Sequence, residues 1–290
     1  MTPKPYSGDD DRARMLALAR EHPAGHVHVI DLPYRLCSWA FDNPTNVGLW
    51  SDEDGRLLAW AVLQPPFWTV DYAVHPAAPP GAFAAMLAWI DSAALTLLDT
   101  PTGRPCWFVA VGEGQDGRRR ALEQAGFVCQ DEGEDAWSQV ALALDADVEL
   151  PACPVKTGFH LRPLAGAAEA PAYVALHRAV FESANMTEEW RRAVLRHPAY
   201  NPALDLVVVD PAGELAAFCV GWLGDETTDY RPQTTGDTYR PAVENQEPPH
   251  GWPLSNRSRL VGQIEPLGVR ADARQHGLAW SILAGMIRRP

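Results

Sequence analysis

The chain has 290 residues and a formal net charge of −13, from 37 acidic and 24 basic side chains. This length predicts two domains of ordinary size, and the 47% hydrophobic content is enough to bury a core. An acidic field repels polyanions, which excludes nucleic acid and anionic membrane surfaces as expected partners. The longest strongly apolar run, residues 82–90, is too short to span a bilayer.

The N-terminus and the cysteines predict a reduced, cytoplasmic protein. The polar start runs into three consecutive aspartates at 9–11 without an apolar signal core, so secretion is not expected. The five cysteines are scattered, and no two of them have the close spacing of zinc ligands or of a redox pair. We therefore expect neither a disulfide framework nor a metal site.

In the first half of the chain, helical and strand patterns alternate. The first ten residues are expected to lack structure. The patterns then predict a helix at 11–21, strands at 26–30, 47–50, 57–63 and 70–74, a helix at 82–98, a strand at 106–111, a helix at 117–125 and a closing strand at 137–144. This alternation predicts a mixed α/β sheet.

A linker at 150–158 with two prolines and a glycine leads into the second half. There the patterns predict a strand at 159–164, helices at 169–183 and 187–196, strands at 204–209, 214–223 and 260–269, and a helix at 277–288. A polar, proline-rich segment without periodicity occupies about 225–257. We therefore place one domain at 1–150 and a second at 151–290, and call them the first and second halves.

The two halves resemble each other in sequence. Gly55 and the apolar positions after it match Gly213 and its following positions at a constant offset of 158 residues. The next predicted strands, which end at Val74 and Val269, match at an offset of 195. The offset grows by about the length of the polar segment, so we interpret 225–257 as an insertion in the second copy of a duplicated domain.

The stretch after the last predicted strand suits a bound anion. The strand ends at Val269, and the pattern Arg274-x-x-Gly277-x-Ala279 opens the final helix. Small residues at 277 and 279 let the backbone approach a ligand closely. The first-turn N–H groups of the helix then point at that ligand, and the helix dipole favours a negative charge such as a pyrophosphate.

The strand before this loop adds a second feature. Pro266 and Gly268 disfavour ordinary pairing, which predicts a bulged strand whose backbone groups face a ligand. Strand and loop together resemble the acetyl-CoA motif of the GNAT superfamily of N-acetyltransferases. The resemblance covers most of 159–290 and, more faintly, 11–144. It implies an α/β protein with two tandem GNAT-like domains, the arrangement found in mycothiol synthase.

The resemblance also implies roles for single residues. Main-chain groups of Leu267, Gly268 and Val269 would pair with the pantetheine arm of acetyl-CoA, the co-substrate. Glu265 is the candidate base for the attacking ammonium, and the alternative is that its side chain only faces solvent. The pyrophosphate would be held by the loop made of Arg274, Gln275, His276, Gly277, Leu278 and Ala279.

The corresponding loop of the first half departs from this motif. No Arg or Gln opens the loop after Val74, Pro79 and Pro80 remove N–H donors, and Phe83 falls near the second small position. Residues 121–127 nevertheless resemble the Ala-x-x-x-x-Gly-Phe ending of many GNAT domains. We interpret the first half as a degenerate partner domain.

The second half is expected to be truncated. Only 21 residues follow Val269, whereas 70 residues lead from Val74 to the end of the first copy at Leu144. The absent part corresponds to the strand that splays from the motif strand, the next helix and the closing strands.

Several histidines have ordinary interpretations. His26 and His28 form a His-x-His pair, but without nearby carboxylates such a pair favours a structural role over metal binding. His276 lies in the predicted phosphate loop, where its side chain is expected to point to solvent.

These patterns predict an enzyme that transfers the acetyl group of acetyl-CoA to a primary amine, without a metal. The acceptor is expected to be a small molecule, with a protein N-terminus still open, and the oligomeric state is not indicated. The alternative is a non-catalytic protein that binds acyl-CoA or serves as a scaffold. A dinucleotide site of the Rossmann type fits less well because Gly-x-Gly-x-x-Gly is absent.

Overall fold

The computed structural model describes residues 2–22, 28–112, 114–131, 144, 148–226 and 259–289. Nearly all of the predicted closing strand at 137–144 and of the polar segment at 225–257 lies outside these residues. His26 also lies outside them. Of the helices that are described, none has the length and apolar character needed to cross a membrane.

Both halves contain strands and helices, and the second half has them in the order that the sequence predicts. In the first half they are β1 (Lys4–Pro5), α1 (Asp9–Glu21), α2 (Leu32–Leu36), β2 (Val47–Ser51), β3 (Leu57–Gln64), β4 (Thr69–Val74), α3 (Ala82–Leu97) and α4 (Asp116–Gln124). In the second half they are β5 (His160–Pro163), α5 (Ala170–Phe181), α6 (Glu188–Arg196), β6 (Asp205–Val209), β7 (Leu215–Glu226), β8 (Arg259–Val269) and α7 (Leu278–Ile287).

Each half builds one antiparallel sheet of four strands, in the order β1-β2-β3-β4 and β5-β6-β7-β8. Val47 pairs with Val62 in the first sheet, and Asp205 pairs with Val220 in the second, 158 positions later on both strands. In each hairpin the register shifts at the last residue pair of the first strand. The hairpins that match in sequence therefore share strand order, register and bulge.

Three predictions on local structure are wrong. Lys4 and Pro5 are not unstructured but pair with β2 as a short strand. Residues 28–31 form a turn and not a strand, because Pro33 in the first turn of α2 favours a helix start there. Residues 106–111 form no regular strand, because their pairing with β4 is limited to one parallel bridge between Thr69 and Phe108.

The second sheet is covered on both faces. One face packs on α7, through a cluster that includes Leu206, Val208, Leu278, Ile282 and Met286. The other face packs on α5, α6 and residues of the first half, in a cluster that includes Tyr34, Cys37, Tyr173, Trp190, Phe218 and Trp222. The two halves therefore share one hydrophobic core on this side of the sheet.

Direct hydrogen bonds also join the halves. The indole N–H of Trp190 donates to the carbonyl oxygen of Tyr34 at 3.0 Å. The indole N–H of Trp39 donates to the carbonyl oxygen of Asn185 at 2.8 Å. The side-chain amide of Asn185 donates to the carbonyl oxygen of Pro66 at 2.7 Å. These buried and half-buried bonds fix α2 and the segments that follow α2 and β3 in the first half against α6 and the α5–α6 connection of the second.

We expect Gly268→Ala to destabilise the second half. A Cβ at this position would lie 2.5 Å from the ring of Phe218 and 2.7 Å from a methyl group of Val180, both closer than real contacts. The ring of Phe218 is fully buried and cannot move away freely. We expect the free energy of unfolding to fall by about 2 kcal/mol in a urea titration.

Gly262→Ala, on the same strand, is the matched control. Its Cβ would make an ordinary contact of 3.7 Å with Leu223. Equal unfolding free energies for the two variants would contradict the packing argument.

Candidate functional site

β8 carries the predicted bulge. Cys219 of β7 pairs with Leu267 of β8, and Gly221 of β7 pairs with Ile264 of β8. The two paired positions have one residue between them on β7 but two residues between them on β8. One extra residue therefore lies in β8 at 265–266. Within the described ranges β7 is the sole sheet neighbour of β8, so the outer edge of β8 presents backbone groups with which an extended ligand can pair.

A short loop leads from β8 into α7. After a 3-10 turn at Ala271–Ala273, the backbone is left-handed at Gln275 (φ 64°) and at Gly277 (φ 73°). α7 begins directly after Gly277, and no side chain of the described residues caps it. The first-turn N–H groups of α7 are therefore open to an anion, as the sequence pattern predicts.

Two basic side chains border this loop. Arg274 is exposed, and its Nε donates to the carbonyl oxygen of Val269 at 3.4 Å. Lys156 Nζ donates to Nδ1 of His276 at 3.1 Å, although 120 residues separate the two. The His276 ring also lies near that of Phe159, with the ring centroids 5.9 Å apart, and its contact with Lys156 is on the exposed surface.

A third basic residue near the loop is already paired. Arg270 binds Asp210 and Asp272 with N–O distances of 2.6 Å each, so its charge is neutralised within the protein. Of the basic residues that the structure describes around the loop, Lys156 and Arg274 therefore remain as positive charges at the start of α7. On a chain of net charge −13, these charges and the N–H groups of α7 suit a pyrophosphate.

The other residues predicted for the cofactor lie on both sides of β8 and at the start of α7. Leu267 and Val269 pack towards α7, where Leu278 is buried, and Ala279 is half-buried. Gly268 faces the opposite side, against Phe218. The predicted residues thus form one continuous path from the bulge to the first turn of α7.

Glu265 lies in the bulge, where β8 meets the first half. Its side chain is accessible to solvent, and its carbonyl oxygen accepts a hydrogen bond from the indole of Trp222 at 2.9 Å. The surrounding protein and the negative charge of Asp31 raise the pKa of Glu265, while His28 and Arg35 act in the opposite direction. An accessible carboxylate with a raised pKa suits a general base.

The charged groups of the first half near Glu265 were not predicted from the sequence. Asp31 is completely buried, and Nδ1 of His28 lies 3.1 and 3.2 Å from its two carboxylate oxygens. Arg35 binds Asp71 through two hydrogen bonds of 2.8 Å. The expectation that His28 has no nearby carboxylate is wrong, and the i, i+3 spacing from His28 to Asp31 was the signal for it.

The first half has a cavity in the place that corresponds to this loop. Its volume is about 550 Å³, and it lies between the loop after β4, the start of α3 and the start of α4. Gly81 precedes α3 in the left-handed conformation (φ 85°), as Gly277 precedes α7. The Phe83 ring lies 5.5 Å from that of Tyr72, beside the position where the motif has a small residue.

One group of side chains in the first half has the geometry of a possible metal site. The candidate ligand atoms of Glu21, His22 and His75 lie within 4.8 Å of one another. An Arg56 nitrogen lies 2.6 Å from Nε2 of His75, and the N–H of Ala77 donates to its Nδ1. The arginine charge opposes a metal ion at this position.

Comparisons with known proteins identify the fold. No protein-family model matches the chain, and no curated protein matches it. Among solved structures, the chain is similar to a GCN5-related N-acetyltransferase from Sphaerobacter thermophilus, with 16% identity and a TM-score of 0.52, over 95% of this chain and 78% of that one.

A second solved structure contains a GCN5-related glucosamine N-acetyltransferase region of a fungal multi-domain GH3 β-N-acetylglucosaminidase. It has 14% identity and a TM-score of 0.47, over 98% of this chain and 33% of that one. The similarity to the structure from Sphaerobacter thermophilus shows that this chain has the mixed α/β fold of the GCN5-related N-acetyltransferases.

Proposed function

We propose that this protein is an N-acetyltransferase, which transfers the acetyl group of acetyl-CoA to a primary amine of a small-molecule acceptor. One observation carries the proposal: the bulged strand β8, with its open edge, leads directly into the uncapped start of α7. The similarity to a GCN5-related N-acetyltransferase supports the fold on which this geometry occurs.

We also propose that residues 1–150 and 151–290 are two tandem GNAT-like domains, as in mycothiol synthase, and that the protein acts in the cytoplasm. The shared register of β2–β3 and β6–β7 supports a duplication. In this proposal the second domain binds acetyl-CoA without a metal, and the first borders the acceptor site. The hydrogen bonds from the first half to α6 and to the α5–α6 connection support that second role.

Each part of the site has one task in this reaction. Main-chain groups of Leu267, Gly268 and Val269 pair with the pantetheine arm, and the pyrophosphate lies on the residues from Arg274 to Ala279, with Lys156 beside them. Glu265 takes a proton from the acceptor's ammonium group. The amine nitrogen then bonds to the thioester carbon, the carbon–sulfur bond breaks, and the thiolate of CoA leaves and takes up the second proton that the nitrogen loses as it becomes an amide.

Isothermal titration with acetyl-CoA tests the binding site. We expect saturable binding to the wild type, and about tenfold weaker binding for both Lys156→Ala and Arg274→Ala, because each removes a charged partner of phosphate. Arg119→Ala is the control, since Arg119 is partly exposed on α4 and pairs with Glu123 of the same helix. Equal affinities for all four proteins would contradict the proposed site.

An amine-dependent release of CoA thiol then tests the activity. Acetyl transfer to any primary amine in a panel supports an enzyme. Binding of acetyl-CoA without transfer to any of them supports the alternative, a non-catalytic acyl-CoA-binding protein.

A further inference from the structure

The turn that carries Asp31 is docked beside Glu265. The main-chain N–H of Asp31 donates to the side-chain oxygen of Gln263 at 3.3 Å, two residues before Glu265 on β8. The neighbouring Ile30 lies against β7, since a Cβ on Gly224 would be 3.4 Å from its side chain. These contacts fix the turn at 28–31 on the β7–β8 hairpin, and Gln263 is two residues from Glu265 on β8.

The carboxylate of Asp31 is placed for a task other than helix capping. Asp31 stands at the N-cap of α2, but its side chain makes no capping hydrogen bond. Instead the carboxylate faces His28 and has no exposed surface. The field of a charge that water does not reach is weakly screened, so it acts strongly on neighbouring groups.

The charges that face Glu265 come mainly from the first half. The charge of Arg35 is largely offset by its two hydrogen bonds to Asp71. Among the charged groups of the described residues, Asp31 has the largest effect on Glu265, and it opposes loss of the proton. Within the same residues, the titratable groups that interact with Glu265 are His28, Asp31, Tyr34 and Arg35 of the first half, Tyr173 on α5 and Cys219 on β7.

We propose that Asp31 is a positioning residue that makes Glu265 a stronger base for the acceptor's ammonium proton, so that both halves of the chain build the site. The inference rests on the proposed function, in which Glu265 is the base. In this step an N–H bond of the ammonium breaks, the proton moves to the Glu265 carboxylate, and the electron pair stays on the amine nitrogen.

The test is the pH profile of kcat/KM for Asp31→Asn. Without the negative charge at position 31, the Glu265 carboxylate loses its proton at a lower pH. We therefore expect the acidic limb of the profile to move down by about one pH unit. A weaker base should also lower the plateau by about threefold. If the acidic limb is absent from the pH profile of Glu265→Gln, the limb arises from the titration of Glu265.

Asp11→Asn is the matched control. Asp11 is also a buried carboxylate of the first half, but its partners are Ser7 and Arg14, and it is absent from the described groups that interact with Glu265. An unmoved limb in Asp31→Asn, or an equal shift in both variants, would overturn the inference. If Asp31→Asn does not fold, Asp31→Ser, which keeps a hydroxyl beside His28, replaces it.

A direct titration separates this inference from the proposed function. The side-chain carboxyl of Glu265 is followed by carbon-13 NMR, with its signal assigned by the absence of that signal in Glu265→Gln. We expect the midpoint in Asp31→Asn about one pH unit below the wild-type midpoint. If the Glu265 midpoint is the same in the wild type and in Asp31→Asn, the inferred influence of Asp31 is wrong. If the midpoint shifts but the protein transfers no acetyl group to any amine, only the proposed function is wrong.

Discussion

Replacing Glu265 with glutamine is expected to lower kcat for acetyl transfer by about 100- to 1,000-fold. The amide keeps the shape of the side chain but cannot take the ammonium proton. Acetyl-CoA affinity should not change, because the proposed phosphate contacts lie on the loop after β8 and not in the bulge. The readouts are the release of CoA thiol at saturating amine and a calorimetric titration of the cofactor.

The pH dependence distinguishes a lost base from a damaged site. At alkaline pH more of the free amine is already deprotonated, so activity of Glu265→Gln should recover towards that of the wild type. Glu189→Gln, on the exposed side of α6, is the control and should retain full activity. If Glu265→Gln were as active as this control, the Glu265 carboxylate would only face solvent, the alternative interpretation.

Breaking the buried ion pair of the second half is expected to cost about 3–5 kcal/mol of unfolding free energy. Arg191 on α6 and Asp205 at the start of β6 have no exposed surface and form a direct salt bridge. The Arg191 guanidinium also lies 3.7 Å from the ring centre of Tyr173, and the Tyr200 hydroxyl donates to Asp205 at 2.6 Å. Arg191→Met leaves the Asp205 charge buried without its counter-charge.

The double variant Arg191→Met, Asp205→Leu tests whether the lost stability comes from the unpaired charge of Asp205. Within the described ranges, Nε and Nη1 of Arg191 and Oδ1 of Asp205 have no hydrogen-bond partner, so the pair is incompletely satisfied. Replacing both groups by apolar ones should therefore recover most of the lost stability. Guanidinium titrations give the measurement. A single variant that loses less than about 1 kcal/mol would contradict the expected cost of an unpaired buried charge.

The parts of the fold that the sequence predicted are those set by neighbouring residues. Gly55 and Gly213 both adopt positive φ between two apolar strands, and such turns are readable from a few residues. The N-cap of α6 is equally local, since the Thr187 hydroxyl accepts from the N–H of Trp190 at 3.1 Å. The bulge in β8 followed from the proline and glycine within one strand.

The parts that it missed depend on groups far apart in the chain. Lys156 stood in an apparent linker, and its place beside His276 is visible only once β5 and α7 are packed together. Asp31 lies 232 positions from Gln263, to which it is hydrogen-bonded, so no local pattern connects it with Glu265. β1 is too short for any periodicity, and its position follows from pairing with β2.

The two sheets differ in the length of chain that joins their last two strands. Four residues separate β3 from β4, whereas 32 residues separate β7 from β8. Bringing the ends of the longer segment together costs the unfolded chain about 2 kcal/mol more conformational entropy. We therefore expect β8 to pair with β7 more slowly than β4 pairs with β3. Because Glu265 is on β8, we expect the proposed catalytic site to form only with this slower pairing.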